Sequence, residues 1–566
     1  MAPHKHADLR RHCQRRLKAM RAERQSWEPH WRELSDNILP RRGRFLYTPN
    51  AGDRGRKLNG RIVNSTGTLA ARTLGAGLVS GVTSPARPWF RLTLSDKKLA
   101  RLPAVRAWLD SVQDVLLRIF AASNFYNAIG VAYEELGVFG TAAIVVLEDY
   151  EDVVRFYTLT IGEYFLAASH RGAVDTLYRE FPLSVAALVQ EYGLDKVSAA
   201  SQRKYENGDL DTEVMVVHAI EPNDSRVIDV PDADNMPWRS VHYEVGGDSE
   251  ARPLLRVGGY RHFCVMAPRW NVTGNDVYGR GPGMDALPDV KALQAMEKDK
   301  ARAIQLLVKP PMVAPSQLRN EVASLLPGSI TYVASGAGGA TEQFRPAFQA
   351  NPRIAELQAD IAAKAQQVTQ AFYADLFLAI SRLDDVRSAT EIVERREEKL
   401  LQLGPMLERL HDELLDPLIK RVLDIAGQPT GADHSVLPPR PKELRGHHDI
   451  EVDYVSTLSV AQKAVGTASI ERFVAFVGNL AGARPEVLDK IAADDTVEAY
   501  GDLLAVPSAL IVDNDTVART RAERAQAQQM QQAMQQGLAA VQGAKVLADT
   551  PVGGGKSALN IVTGMS

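Results

Sequence analysis

Few residues in this chain are arranged for chemistry. Gly555, Lys556 and Ser557 spell the end of a phosphate-cradling loop, in which backbone amides and a lysine hold a nucleotide's phosphates. That loop needs another glycine five residues earlier, where Thr550 stands, and a strand before it and a helix after it. A tail segment is the better reading. Gly279, Gly281 and Gly283 (GRGPG) begin like a dinucleotide fingerprint, but the third glycine is off its spacing and no acidic partner is placed by a strand. A turn ahead of a helix accounts for them. His4, His6 and His12 have no carboxylate or thiolate pattern beside them, so a solvated basic terminus outweighs a metal site. Asp384 with Asp385 and Asp494 with Asp495 are adjacent in loops or caps, where solvation is the default. No GxSxG or HExxH run is present. The sequence nominates no catalytic residue, no metal and no cofactor.

Composition narrows the classes further. Of 566 residues, 66 are Lys or Arg and 69 are Asp or Glu, a net charge of −3, which excludes a basic nucleic-acid coat. Cys13 and Cys264 are the only cysteines, so neither a disulfide framework nor a thiolate cluster exists. The best apolar run, Leu136 to Leu147, is broken by Gly and Thr and falls short of the ~20 residues that a spanning helix needs. The basic N-terminus never reaches the apolar core of a signal peptide, and the expectation is a reducing cytoplasm.

The elements that would position any site follow from periodicity. Residues 1–44 hold twelve Lys or Arg against five Asp or Glu, near +7, with Leu9, Leu17, Met20, Trp27, Trp31 and Leu34 at loose helical spacing. One or two basic amphipathic helices ending before Pro40 are predicted, with a solvated face and a docking or phosphate-contacting face equally open. Trp108, Val112, Val115, Leu116, Ile119 and Phe120 predict another helix, Gly140–Leu147 a buried strand, and residues 150–280 short strands and turns. A mixed α/β domain over roughly 45–280 is the working assignment. Beyond GRGPG, the stripe Leu287, Val290, Leu293, Ile304 and Leu307 predicts a long helix that stops at Pro310 and Pro311. A second long helix carries Ile354, Leu357, Ile361, Val368 and Phe372, and about forty residues rich in Pro and Gly lie between the two. The helix breaks at 381–387, and Ser388 with Glu391 forms a capping box. A long helical pattern from Leu400 to Ile425 then contains Pro405 and Pro417, which predicts a kinked rod. EVDYVSTL at 451–458 alternates like a strand. A final Gln-rich helix, about 515–547, shows Met530, Met534, Leu538 and Val541 on one side, as oligomer contacts do.

That order of elements resembles the portal, or head-to-tail connector, proteins of tailed bacteriophages, in particular the short-tailed T7-like podophage family. NSTGTLAARTLGAGLVSGVTSPARPWFRL at 64–92, YGRGPGMDALPDVKALQAMEK at 278–298, RSATEIVERREEKLLQLGPMLERL at 387–410 and VDYVSTLSVAQK at 452–463 carry the resemblance. The resemblance implies an α+β, predominantly α-helical portal fold in a ring of twelve at one capsid vertex, with double-stranded DNA passing through it. It implies a wing over 1–280, stem helices over 281–308 and 352–378, a clip over 309–351 and a tunnel loop over 379–388. A long kinked wing helix and returning strand would fill 389–465, and a helical crown with a possible barrel 466–566. It further implies genome packaging, retention and ejection without enzymatic activity, in the virion and, during assembly, in the host cytoplasm. Implied partners are the major capsid protein, scaffolding protein, a terminase transiently at the clip and a tail adaptor at the clip. Another virion structural protein, a scaffold or internal ejection protein, is the alternative.

On that reading, twelve times −3 gives a ring near −36, which repels DNA and limits adhesion during passage. Cations then act locally. Arg382, Leu383, Asp384, Asp385, Val386 and Arg387 are the tunnel-loop candidates, with the two arginines either touching phosphates or pairing between subunits. Lys291, Lys298, Lys300 and Arg302 are the stem-lumen candidates.

Overall fold

Leu9, Cys13, Leu17 and Met20 recur at helical spacing, and in the computed structural model they form the buried face of α1 (Pro3–Arg24). Residues 3–40, 42, 44–46, 59–100, 102–227, 229–230, 232–247, 252–310, 312–313, 345–346, 353–381, 403–428, 435–444, 450–482, 484–503, 512 and 514–549 are described. They fall into two units, Met1–Ser459 and Val460–Ser566.

The apolar face of α1 docks on an antiparallel sheet of β4 (Tyr164–Ala168), β5 (Val174–Ser184), β6 (Glu213–Pro222), β7 (Trp238–Glu244) and β8 (Arg256–Tyr260), in that order. Phe165, Tyr178, Val217, Val241 and Tyr243 complete the cluster. Much of the helix's charge is committed to this docking. Buried Arg10 donates to the carbonyls of Pro253 (2.9 Å), Glu244 (2.9 Å) and Gly247 (3.0 Å). Arg24 donates to those of Gly162 and Tyr164, lies over the Phe165 ring and pairs with Glu28. Outside, Arg11 meets Asp8 and Arg21 meets Glu180, both at 2.6 Å. A segment near +7 in isolation thus becomes a charge mosaic docked on its own chain.

Helix α2 (Glu28–Asn37) follows, then α3 (Thr66–Gly81), the central helix of this unit. Its small residues let neighbours approach: a Cβ on Gly77 would lie 2.2 Å from the Phe377 ring, and one on Gly75 2.8 Å from Glu134. Strand β1 (Phe90–Leu94), the short α4 (Lys97–Ala100), α5 (Pro103–Ala122) and α6 (Phe125–Phe139) come next. The side chains predicted to face inward on α5 are all buried. Trp89, Phe90, Phe120, Phe125 and Phe156 pack edge and face, with centroids 4.5–6.3 Å apart. Strands β2 (Ala143–Asp149) and β3 (Val153–Leu159) pair antiparallel, and β9 (Val265–Met266) adds to β2. All described strand pairs are antiparallel, so the predicted mixed α/β region is an α+β arrangement. Two short helices, α7 (Val185–Tyr192) and α8 (Ala199–Glu206), are each capped by a serine, Ser184 and Ser198.

Helix α9 (Pro282–Val308) leads to the short pair β10 (Met312–Val313) and β11 (Arg345–Pro346). Then come α10 (Ile354–Ala371) and α11 (Ala374–Ser381), parted at Tyr373, whose φ of 54° is unusual for a non-glycine residue. The capping box at Ser388 and Glu391 and the tail at 555–557 lie outside the described residues. From 403 the chain is helical, but at His411–Leu415 it widens into a π turn ahead of α12 (Asp416–Ala426). Pro417 has no amide hydrogen, and the Asp416 amide bonds back to the His411 carbonyl. The irregularity predicted from the prolines takes the form of a π turn at His411–Leu415, just ahead of Pro417. Strand β12 (Ile450–Tyr454) pairs with β1, Phe90 opposite Tyr454 and Leu94 opposite Ile450. The alternating pattern predicted a strand to 458, but α13 (Thr457–Ala481) already starts within it.

In the second unit, α14 (Ala493–Leu503) and α15 (Asn514–Asp549) follow. Arg521 forks onto Asp494 at 2.7 and 2.8 Å, which lowers that carboxyl below its usual range. Met530, Met534, Leu538 and Val541 are exposed on α15.

The π turn is held by one carboxylate. Glu413 accepts from the buried Arg269 guanidinium at 2.6 and 3.2 Å, from the Arg269 amide at 2.9 Å and from Arg409 at 3.1 Å. Glu413→Gln strands the Arg269 charge, so a loss of about 2–4 kcal/mol is expected, read as a lower urea midpoint at unchanged m value.

Candidate functional site

The nominated residues that the structure describes, Lys291, Lys298, Lys300 and Arg302, all lie on α9, which pairs with α10, so their placement depends on how α9 starts. Gly140 ends α6 in the left-handed region, φ 76°, and the 279–283 segment runs directly against it. A Cβ on Gly279 would lie 2.4 Å from the Gly140 carbonyl oxygen, and one on Gly281 2.9 Å from the Gly137 oxygen. A Cβ on Gly283 would lie 2.6 Å from the Val138 oxygen. The spacing of GRGPG thus reflects three places where backbone meets backbone. Pro282 then opens the helix at a position where its missing amide hydrogen does no harm.

Above this root, a line of polar side chains fixes the rotation of α9. Buried Gln294 accepts from the amides of Val63 (2.7 Å) and Asn64 (2.8 Å) and donates to the Asn64 carbonyl (2.7 Å). Asn64 Oδ1 takes the Thr66 amide at the start of α3, and its Nδ2 donates to Glu297 at 3.1 Å. Glu297 pairs with Lys300 at 2.6 Å, which holds its carboxyl below the usual range. Lys300 also donates to Gln358 of α10 at 3.0 Å. Lys364 of α10 closes a second tie, to Asp289 at 2.9 Å.

This geometry sorts the four stem candidates. Lys300 ties α9 to α10, and Lys291 pairs with Glu33 of α2 at 3.0 Å. Lys298 and Arg302, one turn apart, are exposed and have no ion pair or hydrogen bond among the described residues. The predicted apolar stripe of α9 divides. Leu287, Val290 and Leu293 are buried, whereas Ile304 and Leu307 are 41% and 45% exposed. Residues Arg382, Leu383, Asp384, Asp385, Val386 and Arg387 lie outside the described residues. Gln294, Asp289 and Lys364 are not among the residues nominated from the sequence. Gln294 carried a signal, being a polar residue one turn from Val290 on the apolar face.

Among the described residues no catalytic constellation emerges. Among the described residues, no group of three His, Cys, Asp or Glu could hold a metal. His12 faces Glu221 at 3.1 Å. Cys13 and Cys264 are buried thiols pushed up to about 12 by desolvation, the opposite of an activated nucleophile. Glu135, fully buried, accepts from Thr160 Oγ1 (2.6 Å) and the Ile161 amide (3.1 Å), and burial pushes it up to about 7. No single described helix is long and apolar enough to cross a membrane.

The root makes a direct prediction. Gly283→Ala is expected to lower stability by about 1–3 kcal/mol through overpacking. Gly258→Ala, with no atom within 4 Å of its added Cβ, is the control, and thermal unfolding of both variants decides.

Comparison with known proteins agrees with a structural site. Residues 10–512 match the family described as bacteriophage head to tail connecting protein. A probable portal protein of Bordetella phage BPP-1 is 45% identical over 532 residues, 94% of this chain and 93% of the relative. The portal protein of Salmonella phage epsilon15 is 44% identical over 541 residues, 95% of each chain. With the family matched along almost the whole of unit one and about half of unit two, and two portal proteins aligned nearly end to end, the chain belongs to the bacteriophage head-to-tail connecting, or portal, proteins.

Proposed function

We propose that twelve copies form a ring at one capsid vertex and that double-stranded DNA passes along its axis during packaging and ejection. The observation that supports this best is the α9–α10 pair, rooted by glycines and cross-tied by Lys300–Gln358 and Lys364–Asp289. Such a pair is a stiff strut that keeps its angle under load. The segments then take the roles of wing (1–280), stem (281–308 and 352–378), clip (309–351), tunnel loop (379–388), returning wing helix and strand (389–465) and crown (466–566). The clip meets the packaging terminase first and the tail adaptor later, while wing and crown face the major capsid protein and scaffolding protein. The ring guides DNA and performs no catalysis of its own, working in the virion after assembly in the host cytoplasm.

Electrostatics fits guidance without adhesion. A chain of net −3 gives DNA no general affinity, so contact rests on isolated cations. Lys298 and Arg302 are such cations on the stem, and Arg382 and Arg387 beside Asp384 and Asp385 are the loop's counterpart. Lys291 and Lys300 are committed to Glu33 and Glu297 and contribute shape rather than free charge.

Native mass measurement and low-resolution imaging test the ring. A chain that stays monomeric at all concentrations and in assembled heads overturns it. Arg382→Ala with Arg387→Ala is expected to leave ring mass unchanged while DNA packaging or retention falls. Unchanged packaging and retention removes those side chains as the contact.

A further inference from the structure

The face of the five-stranded sheet turned away from α1 carries a line of basic side chains. Register places Arg179 of β5 opposite His218 of β6, His218 opposite His242 of β7, and His242 opposite Arg256 of β8. Directly opposed residues share one face of a sheet. Tyr164 of β4 extends the line, opposite Arg179. The two imidazoles stack, centroids 3.9 Å apart and planes 15° apart. Both are buried, and Nδ1 of each has no hydrogen-bond partner among the described residues. His218 Nε2 lies 2.9 Å from Ser240 Oγ of β7.

The surroundings offer these rings little compensation for charge. Tyr192 of α7 lies 5.7 Å from His242, and Arg256 lies over the Tyr192 ring. Tyr260 of β8, Tyr157 of β3, Tyr192 and Glu163 face Arg179, and Glu191 of α7 pairs with Arg256 at 2.9 Å. No carboxylate hydrogen-bonds or ion-pairs with either imidazole among the described residues. Desolvation first, then Arg179 and Arg256, hold His242 down at about 3, and His218 lies well below its ordinary value for the same reasons together with His242.

The cover over this row is light. Helices α7 and α8 have eight residues each; α7 and the loop after it supply Leu188, Tyr192 and Val197 to a cluster with Val216 and Leu255, and α8 is tied down through Ser201. Arg256 holds the Glu191 carbonyl at 3.1 Å, Arg252 holds the Val197 carbonyl at 2.8 Å, and Glu244 accepts from Ser198 and Ser201. The other face lies under the 22-residue α1 with its buried arginines.

We propose that α7 and α8 form an acid-opened flap: protonation of the stacked His218–His242 pair between Arg179 and Arg256 draws water to the row and lifts the flap while the α1 face stays closed. The open form has imidazoles near their ordinary value, so it binds more protons than the closed form. The closed flap is therefore at full strength above about pH 6.5 and weakens as pH falls below it. Between pH 7.5 and 5.5 the opening constant rises about tenfold for one imidazole and up to about a hundredfold for both.

Hydrogen exchange on the full chain at these two pH values, corrected for intrinsic exchange rates, tests it. Protection of 185–206 is expected to drop about tenfold or more on acidification, while that of 9–20 holds. His218→Gln with His242→Gln is expected to abolish the drop, and His242→Gln alone to reduce it, which keeps the test usable should the double variant misfold. Titration of the wild-type imidazoles by NMR adds a readout free of substitution. Unchanged protection of 185–206, an equal drop in the variants, parallel loss at 9–20, or either imidazole titrating near 6.5 in the closed chain overturns the proposal.

Discussion

A contact with no room for a side chain sets the direction of α9. Where α6 ends at Gly140, the backbone turns left-handed and the 279–283 strand of chain lies against it, oxygen to Cα. Any Cβ at Gly279, Gly281 or Gly283 would push these backbones apart, and Pro282 starts α9 immediately after. Over 27 residues a helix extends about 40 Å, so a few degrees of change at the root displaces its far end by ångströms. Gln294 and the Asn64–Glu297–Lys300–Gln358 line then fix rotation, which a backbone contact alone leaves free.

Charge follows the same logic of commitment. Two cations of the basic N-terminus, Arg10 and Arg24, are buried against carbonyl oxygens. Arg269 is absorbed by Glu413, Lys291 by Glu33 and Lys300 by Glu297. Exposed pairs such as Lys291–Glu33 contribute little stability each, unlike the buried Arg269–Glu413 contact. Their greater effect is on the field outside, since a paired cation presents a dipole to a passing phosphate where an unpaired one presents a charge. Lys298 and Arg302 stand out on α9 for that reason.

The element types were legible where one physical cause acted alone. The buried stripe of α5, from Trp108 to Phe120, and the strand at β2 follow from periodicity and β-branching, and both are present. The α9 stripe was only half legible: Leu287, Val290 and Leu293 face the core, but Ile304 and Leu307 continue the period beyond the reach of α2, α3 and α6. Periodicity records which residues share a face and is silent on whether anything covers it. The role of GRGPG was hidden because its partner, the end of α6, lies about 140 residues earlier in the chain. The docking of α1 on its own sheet, and the cross-strand alignment of His218 with His242, depend on tertiary pairing that no local pattern encodes. The family resemblance rested on element order along most of the chain, a property that survives when individual contacts are unreadable.

Two buried titrating sites of opposite sign explain why acid should act on the sheet locally. Burial raises Glu135 to about 7, so relative to an unfolded carboxyl near 4.5 its folded form holds the proton more tightly. Its contribution is complete below about pH 4.5 and is lost as pH rises toward 7. The imidazole pair behaves the other way, losing its contribution as pH falls below about 6.5. Between these limits acidification relieves the burial penalty on Glu135 of α6 and weakens the cover of α7 and α8 over the imidazole pair. The two effects partly offset in total stability but not in space. A measurement of global unfolding would register only their difference, whereas the burial penalty on Glu135 of α6 is relieved under the conditions that loosen α7 and α8.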